Sequence, residues 1–120
     1  MPRRQRRPQD DPAHLLDMID AARAILGFVQ GKTLADYQAD LLLRSAVERQ
    51  LEVLGEAARR VSDETRTRTP EIAWEKIIRT RHRVSHEYDT LDHTIVWRIA
   101  TEHLPVLVDQ LKPRIPGRLF

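Results

Sequence analysis

Apolar residues recur at alternating steps of four and three along most of this 120-residue chain, a spacing that favours packed helices over every other architecture. The first such segment begins near Pro12 and stops at Gly31, and its apolar stripe consists of Leu15, Ile19, Ala22, Leu26 and Val29. The second segment runs from about Leu34 to Val61, with a stripe formed by Val47, Leu51, Leu54, Ala58 and Val61.

Two further helices are predicted beyond Val61. The stretch SDETRTRTP has no apolar residue and is expected to be a loop, after which Pro70 or Glu71 opens a third helix that carries Trp74, Ile77, Ile78, Val84 and Tyr88. The fourth helix is expected from about Asp92 to about Leu111, with a kink at Pro105 and a stripe of Ile95, Val96, Ile99, Leu104 and Leu107. Four such segments bury their stripes most simply in an all-α, up-and-down antiparallel four-helix bundle with a short extra or kinked C-terminal helix.

The ends of the chain differ from its body. Residues 1–11 combine prolines with clustered arginines and are expected to form a flexible arm, followed by the helical bundle over residues 12–112 and a C-terminal tail over residues 113–120. The chain has no Cys, which excludes disulfides and thiolate metal sites and suits a reducing cytosol. Because no apolar run is long enough to span a bilayer, we expect a soluble, cytoplasmic protein without a membrane partner.

The net charge of +2 is unevenly distributed. Arg3, Arg4, Arg6 and Arg7 contribute +4, so that the remaining residues sum to −2. A body with this balance is not a generic polyanion binder. Any affinity for nucleic acid must therefore come from a local basic cluster or from the arm.

One such cluster lies in the run RHRVSHEY and the residues just before it. Arginine offers a planar set of donors to phosphate oxygens, and histidine gains or loses a proton near neutral pH, so together they suit phosphodiester cleavage. In RNA the substrate supplies the nucleophile, because its 2′-hydroxyl can attack the neighbouring phosphorus without a metal or cofactor. The side chains that could take part are Arg79, Arg81, His82, Arg83, Ser85, His86 and Tyr88.

In this scheme His86 moves a proton at the attacking or leaving oxygen, and Arg81 stabilises charge on the phosphoryl oxygens. Tyr88 orients either group or binds a base or phosphate. On an ideal helix Arg81 and His86 are about 140° apart, since each residue adds ~100°. A working site then needs Arg81 to curl, the helix end to unwind or a partner subunit to contribute, and we favour a groove between two subunits.

Plainer interpretations of the same residues stand beside this one. The cluster can be a solvated helix end, with an ion pair between Arg83 and Glu87. His82 and His86 have the four-residue spacing of zinc ligands, but no further ligand pattern supports a metal. Ser85 next to His86 lacks the geometry of a serine hydrolase. The remaining histidines are interpreted as ordinary helix residues, namely His14, His93 and His103.

The motif R-x-x-x-x-H-x-Y formed by Arg81, His86 and Tyr88 resembles that of the HepT-like ribonuclease toxins of the HEPN superfamily. The resemblance extends to LEVLGEAARRVS around Gly55 and Glu56, to IAWEKII and to LPVLV, and covers nearly all of residues 12–111. It implies a HEPN helical bundle, a homodimer with the active site between subunits, and metal-independent RNA cleavage by the arginine and histidine.

The resemblance also implies a toxin whose antitoxin is a small nucleotidyltransferase that can add AMP to Tyr88. Bulk and negative charge beside Arg81 would then block an RNA phosphate. Many relatives have Asn or Asp directly after the motif arginine, where this chain has His82. Two alternatives remain open: a non-catalytic module that binds a nucleotide or a partner, and a structural dimerisation protein. The sequence shows no base-reading module and therefore does not indicate which RNA would be cut.

Overall fold

A computed structural model describes residues 6–115 of the chain. The helices within this range are α1 (Asp11–Val29), α2 (Leu34–Ala39), α3 (Leu41–Arg60), α4 (Asp63–Arg68), α5 (Trp74–His86), α6 (His93–Arg98) and α7 (Leu104–Leu111). A π-helical segment, Ile99–His103, joins α6 to α7. Short 3₁₀ turns cover Pro8–Asp10, Tyr88–Thr90 and Lys112–Arg114. The expected all-α class is confirmed.

Contacts between helix ends fix the direction of each long segment. The start of α1 meets the end of α3, because Asp11 accepts a hydrogen bond from the backbone N–H of Ser62 at 2.9 Å. The end of α7 lies beside the loop that precedes α5, where the Gln110 side chain donates to the Glu71 carbonyl at 3.1 Å. The four long segments therefore run up and down, as expected for a bundle whose stripes face one core.

The core is built from the predicted stripes and a few residues beside them. Leu15, Ile19 and Ala22 are buried on α1, and Met18, Ala21 and Ile25 widen that face beyond the prediction. From α3 the core receives Val47, Leu51, Leu54 and Ala58. Tyr88 and Ile95, which the stripes of the third and fourth helices included, are instead 68% and 48% exposed. None of the helices in residues 6–115 has the length and apolar character needed to cross a membrane.

The long second helix predicted from Leu34 to Val61 is interrupted at Asp40. The backbone of Asp40 is extended, with φ −115° and ψ 99°. The Asp40 carboxylate accepts a hydrogen bond from the backbone N–H of Leu43 at 3.1 Å and so forms the N-cap of α3. An Asp at this position satisfies an otherwise unpaired donor of a new helix, which outweighs continuation of the old one. The prediction of one continuous helix was therefore wrong at Asp40, which separates α2 from α3.

The segment predicted as a loop, SDETRTRTP, contains the short helix α4. Ser62 caps it by accepting the backbone N–H of Thr65 at 3.3 Å, with Asp63 and Glu64 in the first turn where carboxylates favour a helix. The third long helix then begins at Trp74 rather than at Pro70 or Glu71. The Trp74 indole N–H donates to the buried Thr69 hydroxyl at 3.0 Å, which anchors its start.

The last predicted helix is divided by the π-helical segment. Leu104 donates its N–H to the carbonyl of Ile99, five residues earlier. Pro105 follows directly and has no N–H to continue the regular α-helical ladder, so the irregularity expected at Pro105 takes this form. The wider turn lets the chain keep both Val96 and Leu104 buried on either side of it.

The two ends of the described range pack on the bundle. Asp11, assigned by sequence to the arm, is the buried first residue of α1. Arg6 donates to the Arg59 carbonyl at 3.1 Å and to Asp63 at 2.9 Å. Ile115, in the expected tail, is buried as well. The rest of the expected arm and tail, residues 1–5 and 116–120, lies outside the described residues.

Candidate active site

The motif R-x-x-x-x-H-x-Y straddles the C-terminal end of α5. Arg81 and His86 both lie within the helix, whose last residue is His86. The Glu87 N–H donates to the Arg83 carbonyl at 2.8 Å, and the chain then enters the 3₁₀ turn that begins with Tyr88. The helix therefore unwinds after the histidine and not between the two expected catalytic residues.

Arg81 extends along α3. Its Nη2 lies 3.4 Å from Oε1 of Glu56, and its side chain is 32% exposed. The Arg81 Cβ, Cγ and Cδ pass directly over Gly55, where an added methyl group would collide with them. Its Nε is buried and has no hydrogen-bond partner among the described residues. The arginine is therefore fixed at its base and stem, while part of its guanidinium still reaches the surface.

Glu56 holds three arginines at once. Arg59 makes a bidentate contact, with Nε 3.1 Å from Oε1 and Nη2 2.8 Å from Oε2, and Arg60 donates from Nε to Oε2 at 3.1 Å. Hydrogen bonds from Arg59, then its charge and the contacts of Arg60 and Arg81, lower the pKa of Glu56 from 4.5 to about 2 against an opposing effect of burial. The carboxylate is thus ionised at neutral pH and is available to position Arg81.

Ser85 also faces α3. Its hydroxyl donates to Oε2 of Glu52 at 2.8 Å. Since Glu52 and Glu56 are one turn apart on α3, and Ser85 and Arg81 one turn apart on α5, the two contacts fasten the helices side by side in antiparallel order. The Ser85 hydroxyl, which the sequence placed among the side chains that could take part at the site, therefore lies at the contact between α5 and α3.

The two histidines of the motif region lie together on the outer face of α5. The rings of His82 and His86 are 4.5 Å apart between centroids and are tilted by 46°. Both side chains are exposed, as is Tyr88 just beyond the helix. His86 is therefore accessible to a substrate, while Arg81 of the same chain is oriented toward α3. The angular separation expected from helical spacing agrees with this placement.

Arg79 and Arg83 border a different surface. They line a groove of about 610 Å³ between α5 and the α6–α7 segment, whose floor is mainly apolar and includes Ile77, Ile95 and Ile99. The ion pair predicted between Arg83 and Glu87 is not among those of residues 6–115. The structure thus separates the sequence cluster into an α3-facing part, an outer histidine face and this groove.

Residues 6–115 include no group of three or more His, Cys, Asp or Glu side chains that could hold a metal ion. The interpretation of the sequence did not assign roles to Glu52, Gly55 or Glu56. A signal existed for them, because the two glutamates follow helical spacing beside a glycine within the segment that carried the family resemblance.

Comparison with known proteins shows which family the chain resembles. The ribonuclease HepT-like family matches residues 18–113. A protein of Thermococcus cleftensis named "Probable ribonuclease HepT" is 30% identical over 78% of this chain and 86% of its own length. A protein of Methanocaldococcus jannaschii named "Putative RNase MJ1380" is 26% identical over 87% of this chain and 95% of its own length. A protein of Caldanaerobacter subterraneus subsp. tengcongensis named "Putative RNase TTE0752" is 27% identical over 82% of this chain and 88% of its own length.

No solved structure matches the chain. The family match covers most of the chain, includes the whole of α5 and the Tyr88 turn, and supports an endoribonuclease. The expectation drawn from the motif of Arg81, His86 and Tyr88 is thereby confirmed at the level of the family. The chain belongs to the HepT-like ribonuclease family.

Proposed function

We propose that this HepT-like ribonuclease cleaves RNA without a metal, by attack of the 2′-hydroxyl, with Arg81 and His86 as its catalytic residues. The observation that carries the proposal is the arrangement at the end of α5. Arg81 is clamped by Glu56 and Gly55 yet partly exposed, and His86 is exposed on the outer face of the same helix, five residues further along. A fixed cation and a mobile proton carrier are what phosphodiester transfer requires.

The reaction needs no protein nucleophile. The 2′-oxygen forms a bond to phosphorus as the bond to the 5′-oxygen breaks, which leaves a cyclic phosphate and a free 5′-hydroxyl. A proton leaves the 2′-hydroxyl and another reaches the 5′-oxygen; His86 carries one of these transfers and solvent water carries the other. The guanidinium of Arg81 neutralises the charge that develops on the phosphoryl oxygens.

We assign the complete site to a groove between two copies of the chain. Arg81 lies against α3 and His86 lies on the outer face, so two subunits facing one another could bring an arginine and a histidine to one phosphate. In this proposal His82 and Tyr88 bind RNA beside the histidine face, and Arg79 and Arg83 bind it from the neighbouring groove. Ser85 has a supporting role, because its hydroxyl donates to Glu52 and holds α5 against α3.

The biological role proposed here is that of a cytoplasmic toxin paired with a nucleotidyltransferase antitoxin. Tyr88 is the proposed acceptor of AMP, and its 68% exposure gives a second enzyme access to the hydroxyl. A transferred AMP would place a phosphate and a nucleoside at the end of α5. That charge and bulk would oppose an RNA phosphate at the same position.

The decisive experiment compares RNA cleavage by the parent and by His86→Ala, with His14→Ala on α1 as the matched control. Cleavage is expected to persist in the presence of a chelator and to fall by about 10²–10⁴-fold only in His86→Ala. Equal cleavage by His86→Ala and the parent would exclude the assigned role. RNA binding by the parent without any cleavage would favour the non-catalytic binding module instead.

A further inference from the structure

Charges are concentrated beside Arg81 in a way that the catalytic proposal does not use. Arg59, Arg60 and Arg81, here called the arginine cluster, surround the single carboxylate of Glu56. Three cations against one anion leave a local excess of +2, in a chain whose body sums to −2 without its four N-terminal arginines. The arginine cluster is therefore a local concentration of positive charge in a body whose formal charges sum to −2.

The contacts with Glu56 leave much of the arginine cluster available. Arg59 uses Nε and Nη2 and Arg60 uses only Nε in these hydrogen bonds. Their side chains are 54% and 58% exposed. The planar guanidinium matches the oxygens of a phosphate better than a lysine ammonium does, so the remaining N–H groups form a ready binding surface for a phosphodiester.

The basic surface continues past the end of α3. Arg6 donates to the Arg59 carbonyl at 3.1 Å and Arg66 donates to the same oxygen at 3.0 Å. Positive charge therefore extends from Arg81 through Arg59 to Arg6, although Asp63 pairs with Arg6. A polyanion is a better fit to this extended arrangement than an isolated small anion.

We infer that Arg59 and Arg60 form a phosphate-binding subsite that holds the RNA strand next to the phosphate acted on by Arg81. Glu56 keeps the three guanidiniums together, and the subsite carries the strand away from the reacting bond along the end of α3. This inference rests on the proposed ribonuclease function for the identity of the strand. Its contribution is to binding, because Arg59 and Arg60 do not touch the reacting atoms.

The test measures binding without cleavage. The probe is a single-stranded RNA oligonucleotide with 2′-O-methyl groups, which blocks the attacking oxygen. Its dissociation constant is measured against salt concentration for the parent and for Arg59→Gln/Arg60→Gln. The matched control, Arg98→Gln/Arg114→Gln, removes two arginines that are likewise paired with glutamates, Glu102 and Glu71. Thermal melting of all three proteins shows that each is folded.

The Arg59→Gln/Arg60→Gln protein is expected to bind roughly tenfold more weakly at low salt, and its slope of log Kd against log salt should fall by about 1.4, or ~0.7 for each lost phosphate contact. An unchanged slope, or a change equal to that of the control, would overturn the subsite. The outcome is separable from the catalytic proposal. A parent that binds through these arginines but never cleaves RNA contradicts only the catalysis, whereas normal cleavage with unaltered binding contradicts only the subsite.

Discussion

Arg81 crosses α3 directly over Gly55, so closely that no side chain larger than hydrogen fits at the crossing. The next residue, Glu56, holds the tip of the same arginine at 3.4 Å. Two consecutive residues of α3 therefore set both the depth at which Arg81 lies and the direction in which its guanidinium extends. The position of the proposed catalytic arginine depends on a neighbouring helix as much as on its own.

Gly55→Ala is expected to destabilise the protein by about 1–3 kcal/mol and to reduce RNA cleavage, because the added Cβ must displace the Arg81 stem or separate the helices. Gly27→Ala is the matched control, since nothing lies within 4 Å of a Cβ at that position of α1. It is expected to stabilise the fold by roughly 0.5–1 kcal/mol. Chemical denaturation of both variants measures the difference, and similar values would contradict close packing at Gly55.

Glu56→Gln should separate catalysis from binding. The amide keeps the shape of the carboxylate but loses the charge that holds Arg81, so kcat is expected to fall between about tenfold and about 100-fold. KM should stay level or decrease, because the arginine cluster becomes more positive toward RNA. Steady-state kinetics on one RNA substrate distinguish the two parameters. A rise in KM with constant kcat would contradict the positioning role of Glu56.

Acid stability offers a second measurement on the same residue. The pKa of Glu56 is lowered from 4.5 to about 2, chiefly by its hydrogen bonds with Arg59. The stability that the ionised Glu56 carboxylate contributes to the fold is therefore fully present above pH 4.5 and is lost as the pH falls toward about 2. In Glu56→Gln the free energy of unfolding should lose this part of its pH dependence, on the order of 1 kcal/mol after solvent screening. Denaturation at several pH values provides the comparison.

Arg81→Lys is expected to lose cleavage by about 10²–10³-fold although it retains a positive charge. The ammonium is a compact charge and cannot present a planar pair of donors to phosphoryl oxygens while also contacting Glu56. Single-turnover cleavage at saturating protein isolates this step from binding. Near-parental rates in Arg81→Lys would show that charge alone suffices and that the guanidinium geometry has no role.

Periodicity predicted the helical fold because burial of an apolar stripe dominates the packing of a helix. The departures occur where one polar side chain acts locally. Asp40 caps a new helix in the middle of a continuous apolar pattern, and Ser62 starts a helix in a segment that has no apolar residue. Such capping depends on backbone geometry that hydrophobic spacing does not encode.

The site was predictable only in part for a related reason. Arg81, His86 and Tyr88 are close in sequence, so their motif is visible along the chain. Glu56 contacts Arg81 across 25 positions, and this pairing exists only once α3 and α5 are packed. For Tyr88 the sequence pattern misled in the other direction. Tyr88 has the spacing of a core residue, but it lies beyond the end of α5 and is exposed.

Tyr88→Phe should retain RNA cleavage within a few-fold of the parent while escaping inactivation by a nucleotidyltransferase supplied with ATP. The phenol is 68% exposed, so its loss leaves no buried partner unsatisfied, but the acceptor oxygen for AMP disappears. Tyr37→Phe is the matched control, because that hydroxyl is buried and unreachable. Intact-mass measurement should show the adduct on the parent and on Tyr37→Phe but not on Tyr88→Phe. An adduct on Tyr88→Phe, with equal loss of its cleavage, would place the modification at another residue.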